Sequence, residues 1–318
     1  MNTTMAIRST NSITSFDITL LSRYRTELMG LAAIGIICCH TQANGVVMPG
    51  WLWQIFSLGQ LGVSMFFLLS GMGIWYSLQS LLLTEMRGAK RWYAKRYTKL
   101  FVPFLLIAVP FFGYMAVTGD HSIWWFLSRI STVQFWIGGG GAWFVSVLVV
   151  CYLLSPGWEW LLRKAGHRTL LSAALFLAIF FFGHLFMNHA EESAFYFAGF
   201  WIAPYVKRGV KIPWIPIVIA SVALYLACVK FAPLQGLPRV FFLLPVVVIL
   251  PCIVFDFLCM KSINKGFRFM GNITLESYLL NVTLPQLGLS YLYVVLFGIP
   301  LAWVIHQISK RLTSKILK

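Results

Sequence analysis

The first candidate for chemistry is a histidine inside an apolar run. The stretch ELMGLAAIGIICCHTQANG, from residue 27, is long enough to enter a bilayer and carries His40. An imidazole titrates near neutrality and can act as a general base that takes a proton from an acceptor hydroxyl. Glu27 lies about 20 Å from His40 along a straight helix, so the two cannot form a catalytic pair. A buried, hydrogen-bonding histidine at a span end is the structural alternative.

A cluster of basic residues marks the entry to the third apolar run, KRWYAKRYTKLFVPF. Arg91, Lys95, Arg96 and Lys99 are spaced so that several share one side of a helix. Arginine binds phosphate through two parallel hydrogen bonds and lysine adds a mobile charge, so the cluster suits a nucleotide-bearing donor from the cytoplasm. A topology signal combined with attraction to anionic lipids is the alternative.

Glu276 is the acidic residue placed deepest in an apolar run, GNITLESYLLNVTLPQ. Asn272 precedes it by one turn of the same predicted helix, and Asn281 lies deeper. Because an unpaired carboxylate is costly in lipid, we expect Glu276 to face the bundle interior and find a partner there. Both a contact with another helix and a contact with a substrate are compatible with this position. Other ionisable residues near predicted span ends can reach the interface, which favours a structural role. These are Asp256, Glu159 and His306.

The composition indicates a membrane protein. Hydrophobic residues make up 59% of the 318 residues and charged residues make up 11%. In a soluble domain, about 45–50% of the residues are hydrophobic and about 25% are charged. The mean hydropathy is +0.80. A net charge of +16 alone would suggest nucleic acid, but the basic residues lie between apolar runs. We therefore expect membrane lipids, and no nucleic acid, as partners.

We predict an all-α integral membrane protein with about ten transmembrane helices, because a bilayer core takes roughly 20 helical residues. The predicted spans are 27–45, 57–79, 99–118, 142–160, 169–187, 193–207, 213–231, 240–259, 270–288 and 290–308. If the N-terminus is cytoplasmic, all Lys and Arg residues except Arg129, Lys230 and Arg239 fall on the cytoplasmic side. The positive-inside rule therefore predicts that both termini are cytoplasmic.

The chain is interpreted as one transmembrane domain, 23–318, after a cytoplasmic lead-in, 1–22. The lead-in is polar and lacks the apolar core of a cleavable signal peptide. The six cysteines all lie within predicted spans and no CxxC pattern occurs. We therefore expect neither a disulfide framework nor a metal site.

Four motifs, in order along the chain, resemble those of acyltransferase family 3. They are LGVSMFFLLSGMGIWYSL, KRYTKLFVPF, AWFVSVLVVCYLLSP and FMGNITLESYLLN. The resemblance implies a multi-pass enzyme of the bacterial cytoplasmic (inner) membrane that takes an acyl group, usually acetyl from acetyl-CoA. It also implies an acceptor hydroxyl on a cell-surface polysaccharide, glycolipid or related envelope molecule.

The resemblance implies that His40 is essential, because it occupies the position of the family's first-span histidine. An arginine normally precedes that histidine with ten residues between, and this position is Met29 here. Arg25, one turn earlier, is the candidate to replace it. The family's ninth-span motif commonly ends in a histidine, where this chain has Asn281. These departures indicate a divergent subgroup.

Acyl transfer from a thioester requires a base for the attacking hydroxyl, positive groups for the donor's phosphates and polar groups for the tetrahedral oxyanion. We hypothesise that His40 is the base and that an acyl-CoA is the co-substrate, with no bound cofactor. The predicted donor-binding residues are Arg25, Lys95, Arg96 and Lys99. The predicted cavity lining is Ser70, Trp143, Glu276, Tyr278 and Asn281, with Trp143 and Tyr152 shaping the cavity by packing.

The residues leave three alternatives open. A transporter or flippase for a lipid-linked sugar or small polyanion would also need intramembrane polar residues, although the matching halves typical of transporters are not evident in the sequence. A non-catalytic membrane assembly partner is compatible with the changes at Met29 and Asn281. Within the enzyme hypothesis, a covalent acyl intermediate on His40 or Ser70 is the alternative to direct transfer.

Overall fold

A computed structural model describes residues 15–79, 86–139, 142–164, 166–186, 190–231, 239–258 and 261–317. These residues are almost entirely helical, which confirms the predicted all-α class. In chain order the elements are β1 (Ser15–Asp17), α1 (Thr19–Arg23), α2 (Arg25–Ala43), α3 (Gly50–Ser57), α4 (Leu61–Gln79), α5 (Met86–Thr118), α6 (Ile123–Ile130), α7 (Gln134–Gly138), α8 (Trp143–Lys164), α9 (Arg168–Phe186), α10 (Ser193–Arg208), β2 (Lys211–Pro213), α11 (Trp214–Lys230), α12 (Leu244–Leu258), α13 (Lys261–Asn272), α14 (Thr274–Thr283) and α15 (Tyr291–Ile316). Short 3-10 turns lie at Leu58–Gln60, Ala190–Glu192, Arg239–Leu243 and Leu284–Leu287.

Four helical segments of the described chain are long and apolar enough to cross a membrane. They are Gly50–Gln79, Gly88–Thr118, Trp143–Lys164 and Tyr291–Ile316. Shorter apolar helices occupy Arg168–Gly183, Trp214–Lys230 and Phe241–Phe257. The predicted membrane character is therefore confirmed, whereas the total of ten spans and the side on which the termini lie stay predictions.

The prediction of one continuous helix over 270–288 is wrong. Ile273, with φ of −103° and ψ of 18°, separates α13 from α14. Sequence reasoning assigned the segment before residue 270 to a loop because its basic residues interrupt the apolar run, yet α13 begins at Lys261 and packs along α2. Asn272 and Glu276 therefore belong to different helices.

Helices α4 and α10 cross closely. A Cβ atom at Gly71 would lie 1.8 Å from the carbonyl oxygen of Tyr196, and one at Gly199 would lie 2.3 Å from the carbonyl oxygen of Leu68. Small residues let these backbones approach, as is common between membrane helices. Leu68 faces one large cavity, whereas Ser70 of the same helix faces another. Helix α4 thus forms a wall between two cavities.

Acidic residues near the predicted cytoplasmic span ends form ion pairs. Glu27 is 1% exposed and accepts a hydrogen bond of 3.0 Å from Arg268 Nε. Asp256 lies 3.1 Å from Arg23 Nη1. Two arginines, from α8 and α9, lie beside the buried carboxylate of Glu159. The Glu27 and Asp256 pairs connect helices that are distant in sequence, and the Glu159 pairs connect the neighbouring helices α8 and α9. These contacts support a structural role for the three carboxylates.

Two segments that were predicted to lie outside the helix bundle are packed against it. In the lead-in, β1 pairs with β2 in antiparallel register and the side chains of Phe16 and Ile18 are buried. Between α9 and α10, Glu192 is 7% exposed and accepts a hydrogen bond of 2.5 Å from Ser64 Oγ of α4. Burial raises the pKa of Glu192 to about 8.

Candidate active site

A polar cavity of about 790 Å³ lies among α2, α4, α5, α8, α13, α14 and α15. Five residues predicted for the site line it: Ser70, Arg96, Lys99, Glu276 and Tyr278. Further polar lining comes from the α13–α14 junction and from α15: Asn272, Thr274, His306, Gln307, Ser309 and Lys310. The apolar lining includes Met29, Phe66, Phe144 and Leu148. We call this space the polar cavity.

Two cationic side chains of α5 line the polar cavity. Arg96 lines it, and the Nε atom of Arg96 is buried without a hydrogen-bond partner. Lys99, one turn later on α5, is exposed. Within the described part of the chain, neither Arg96 nor Lys99 forms an ion pair. A buried guanidinium donor without an acceptor is costly, so this arrangement suits an anionic ligand.

Arg25 reaches the same region from the start of α2. Its Nε donates a hydrogen bond of 2.9 Å to the carbonyl oxygen of Leu69. The guanidinium packs over Gly73, where a Cβ atom would lie 2.5 Å from Nη2. Arg25 is not among the residues that line the polar cavity, but it lies near enough to Arg96 for their charges to influence each other. Arg25 forms no ion pair within the described chain, so its positive charge adds to that of Arg96.

A carboxylate and an imidazole form a pair inside the polar cavity. Glu276 is 4% exposed, and its Oε1 lies 3.0 Å from His306 Nδ1 of α15. The expectation that Glu276 finds an interior partner is therefore confirmed. His306, expected to be only structural, shares the cavity with Arg96. We call these two residues the Glu276–His306 pair.

His40 lies in a separate polar cluster near the end of α2. Its Nδ1 is 2.6 Å from Asn281 Nδ2 of α14. The Asn281 Oδ1 atom is 2.5 Å from the hydroxyl of Tyr291, the first residue of α15, and this hydroxyl is also 2.7 Å from the carbonyl oxygen of Ile37. His40 is half-buried and is not among the residues that line the polar cavity.

Comparison with known proteins decides the family. A family model described as an acyltransferase domain matches residues 28–310 of the chain. The chain belongs to acyltransferase family 3. No curated protein and no solved structure matches it.

The family match includes both the polar cavity and the His40 cluster. Met29, at the family's usual arginine position, lines the polar cavity. Arg25 lies one turn earlier on α2, and its guanidinium packs over Gly73. Asn281, at the position of the family's ninth-span histidine, contacts His40 directly. Both departures from the family pattern thus lie at the two polar sites.

Five residues predicted for the site lie outside the lining of the polar cavity: His40, Arg25, Lys95, Asn281 and Trp143. His40 and Arg25 are described above. Lys95 is exposed on α5. Asn281 contacts His40 instead. Trp143 packs behind the lining, with its ring centroid 6.1 Å from that of Phe144 and 6.5 Å from that of Phe67. The packing role expected for Trp143 agrees with these contacts.

Sequence reasoning missed Tyr291 and Arg129. Tyr291 begins the last span, where an aromatic residue is ordinary and gives no signal of a hydrogen bond to Asn281. Arg129 of α6 lines a small cavity of about 70 Å³ with Tyr278, Thr283 and Gln286. Tyr278 lines both this cavity and the polar cavity, so it stands between them.

Neither metal nor disulfide chemistry has a site among the described residues. No group of three or more His, Cys, Asp and Glu side chains there could hold a metal ion. The described cysteines have free thiols: Cys38, Cys39, Cys151, Cys228 and Cys252. Cys259 lies outside the described residues.

Proposed function

We propose that the protein is an O-acyltransferase that moves an acyl group, acetyl in the first instance, from cytoplasmic acyl-CoA to a hydroxyl of an envelope polysaccharide, glycolipid or related molecule. The observation that carries the proposal is Arg96, which lines the polar cavity, has a buried Nε without a hydrogen-bond partner and forms no ion pair in the described chain. In an acyltransferase, the natural anion for such a guanidinium is the phosphate portion of the donor.

The polar cavity supplies the donor site. The guanidinium groups of Arg25 and Arg96 and the ammonium of Lys99 bind the CoA phosphates through charge-assisted hydrogen bonds. The Glu276–His306 pair offers further polar contacts to the CoA portion. Phe66, Phe144 and Leu148 provide an apolar wall for the pantetheine arm. The volume of about 790 Å³ lies within the range common for ligand sites.

Asn281 and Tyr291 fix the tautomer of His40 in this proposal. An asparagine amide can be placed in two orientations related by 180°, and only the hydrogen bonds decide between them. If the amide nitrogen faced His40, the single hydroxyl hydrogen of Tyr291 would have to serve both Asn281 Oδ1 and the Ile37 carbonyl. With the amide carbonyl towards His40, every contact has one donor and one acceptor.

In the second orientation Tyr291 donates to the Ile37 carbonyl and accepts from the Asn281 amide. Asn281 Oδ1 then accepts a hydrogen bond from the Nδ1–H of His40. The lone pair is left on Nε2, which is the state required of a general base. We therefore assign Nε2 of His40 as the atom that takes the proton from the acceptor hydroxyl.

Direct transfer proceeds through a tetrahedral intermediate. The acceptor oxygen attacks the thioester carbonyl carbon while its proton moves to His40 Nε2. The tetrahedral oxyanion collapses, the carbon–sulfur bond breaks, and the thiolate of CoA takes the proton from the imidazolium. Tyr278, which lines both the polar cavity and the small Arg129 cavity, is the proposed hydroxyl donor to the oxyanion.

The acyl arm must pass the centre of the bundle to reach His40. Met29 lines the polar cavity and His40 lies eleven residues further along α2, which is about 16 Å along the helix axis. Phe144 and Tyr278, whose ring centroids are 5.0 Å apart, stand at the end of the cavity nearest the small Arg129 cavity. We propose that displacement of these two rings admits the thioester.

The proposal is tested with purified protein in liposomes, labelled acetyl-CoA and extracted envelope glycans. Label on the glycan in an ester linkage supports it. Transbilayer movement of a glycolipid without any label transfer would instead favour a transporter. Label retained on the protein after removal of acetyl-CoA would favour a covalent intermediate on His40 or Ser70.

A further inference from the structure

A second large cavity, of about 950 Å³, lies on the other side of α4 from the polar cavity. Helices α9, α10, α11 and α12 form most of it, and β1 and β2 contribute Phe16 and Ile212. The lining is overwhelmingly apolar. None of the residues assigned to donor binding or to proton transfer lines it, so the proposed reaction does not account for it. We call it the apolar cavity.

The apolar cavity is open at a rim of exposed apolar side chains. Leu177 of α9 and Leu224 of α11 lie at its rim and are 51% and 50% exposed. Its deep wall is formed by buried side chains, among them Leu68, Phe195 and Val248. Water is not stably bound in an apolar cavity of this kind, because the walls offer few hydrogen-bond partners. In a membrane protein, the molecules that reach such an opening are lipids.

One end of the apolar cavity carries a hydroxyl group that lacks a partner. Ser172 lines the cavity, is 7% exposed, and its Oγ is buried without a hydrogen bond. One turn earlier, Thr169 Oγ1 makes only long contacts, 3.2 Å to the Tyr205 hydroxyl and 3.4 Å to Trp201 Nε1. A buried hydroxyl without a partner is costly, so Ser172 indicates a ligand with an acceptor at this depth.

The same end is bordered by positive charge. Lys207 and Arg208 follow Tyr205 on α10, and Lys211 precedes the cavity residue Ile212; all three cations are exposed. Asp17 opposes Lys211 across the two strands, which leaves an excess of positive charge at this rim. By the positive-inside rule this end faces the cytoplasm, where anionic headgroups attract lysine and arginine.

We propose that the apolar cavity is a binding site for an anionic glycerophospholipid of the cytoplasmic leaflet. An acyl chain occupies the cavity, its ester carbonyl accepts a hydrogen bond from Ser172 Oγ, and the phosphate lies against Lys207, Arg208 and Lys211. Because α4 separates this lipid from the polar cavity, the site is independent of the proposed acyl-CoA site.

The probe is phosphatidylglycerol with a photoactivatable diazirine in one acyl chain, in liposomes of phosphatidylethanolamine and phosphatidylglycerol that contain the full chain. After irradiation, we expect labelled peptides from the cavity walls in α9, α10 and α12. Ala173→Trp, which fills the cavity from an exposed alanine of its wall, should lower this label about tenfold. The matched control is Leu292→Trp, at a position that is 63% exposed on α15, and it should leave the label unchanged.

The role of Ser172 is tested by competition. Unlabelled ester-linked phosphatidylglycerol should compete better than its ether-linked analogue, which lacks the carbonyl, and Ser172→Ala should abolish this difference. Label spread evenly over all outward faces, or unchanged by Ala173→Trp, would overturn the proposal. None of these outcomes depends on acyl transfer, so the two proposals fail separately.

Discussion

His40 Nδ1 lies 2.6 Å from the side-chain amide of Asn281, although 241 residues separate the two in sequence. The hydroxyl of Tyr291 forms hydrogen bonds with the other end of that amide and with the Ile37 carbonyl. The contact joins α2 to α14. In the amide orientation proposed above, it leaves Nε2 as the imidazole nitrogen that takes the proton.

Tyr291→Phe should lower kcat about tenfold with little change in the KM for acetyl-CoA, because loss of the hydroxyl releases the Asn281 amide and with it the tautomer of His40. The measurement is steady-state transfer in liposomes. Tyr293→Phe is the matched control, since Tyr293 is 54% exposed two residues later on α15. Equal kcat in both variants would contradict the positioning role of Tyr291.

Asn281→Leu should lower kcat more than Tyr291→Phe does, because it removes the acceptor of the Nδ1–H itself. Asn281→His restores the residue type that the family commonly has at this position and keeps a hydrogen-bonding ring nitrogen, so it should retain measurable transfer. If Asn281→His and Asn281→Leu are equally inactive while both fold, a hydrogen bond to His40 is not what the position requires.

Arg96→Gln should raise the KM for acetyl-CoA about tenfold or more, because it removes a charge-assisted hydrogen bond to phosphate. Lys95→Gln is the matched control: it removes the same charge one residue away, from an exposed side chain outside the cavity lining. Its KM should change little. A larger effect at Lys95 than at Arg96 would place the donor on the surface of α5 instead of in the polar cavity.

His306→Gln distinguishes the proposed role of His306 from that of His40. Because His306 lies in the polar cavity and pairs with Glu276, its replacement should raise the KM for acetyl-CoA several-fold and leave kcat near the wild-type value. Loss of kcat with an unchanged KM would instead identify the Glu276–His306 pair as the acid–base group, and His40 would lose that assignment.

Stability should depend on pH through Glu192. Its pKa is raised from 4.5 to about 8 by burial, so the folded protein holds a proton that the unfolded chain releases. This contribution is fully present below 4.5 and is lost as the pH rises through about 8. The unfolding midpoint in detergent should therefore fall between about pH 5 and pH 9, and Glu192→Gln should reduce this fall. A pH dependence identical in both proteins would contradict the assignment.

Much of the site was predictable from single segments of sequence. Apolar runs locate α2 and its histidine, and the basic spacing locates Arg96 and Lys99 at the start of α5. These signals are local, because hydropathy and charge are read along one helix at a time. That is why His40, Arg96 and Glu276 could each be singled out without any knowledge of their neighbours.

The pairings between helices were not predictable in the same way. Nothing in the periodicity of α2 specifies that Asn281 meets His40, or that Arg268 meets Glu27, because such contacts depend on how helices cross. The break at Ile273 was missed for a related reason. A hydropathy profile does not show where a helix ends when the residues on both sides of the end are apolar. It also fails to identify a basic helix such as α13 as part of the bundle, because α13 packs against its neighbour at glycines.

The most direct test of the account compares His40→Ala with the wild-type protein in two measurements on the same liposomes, equilibrium binding of acetyl-CoA and transfer of label to the envelope glycan. The account predicts that binding of acetyl-CoA is unchanged, because His40 does not line the polar cavity, and that transfer falls at least a hundredfold. Transfer at the wild-type rate by His40→Ala would contradict the assignment of His40 as the base.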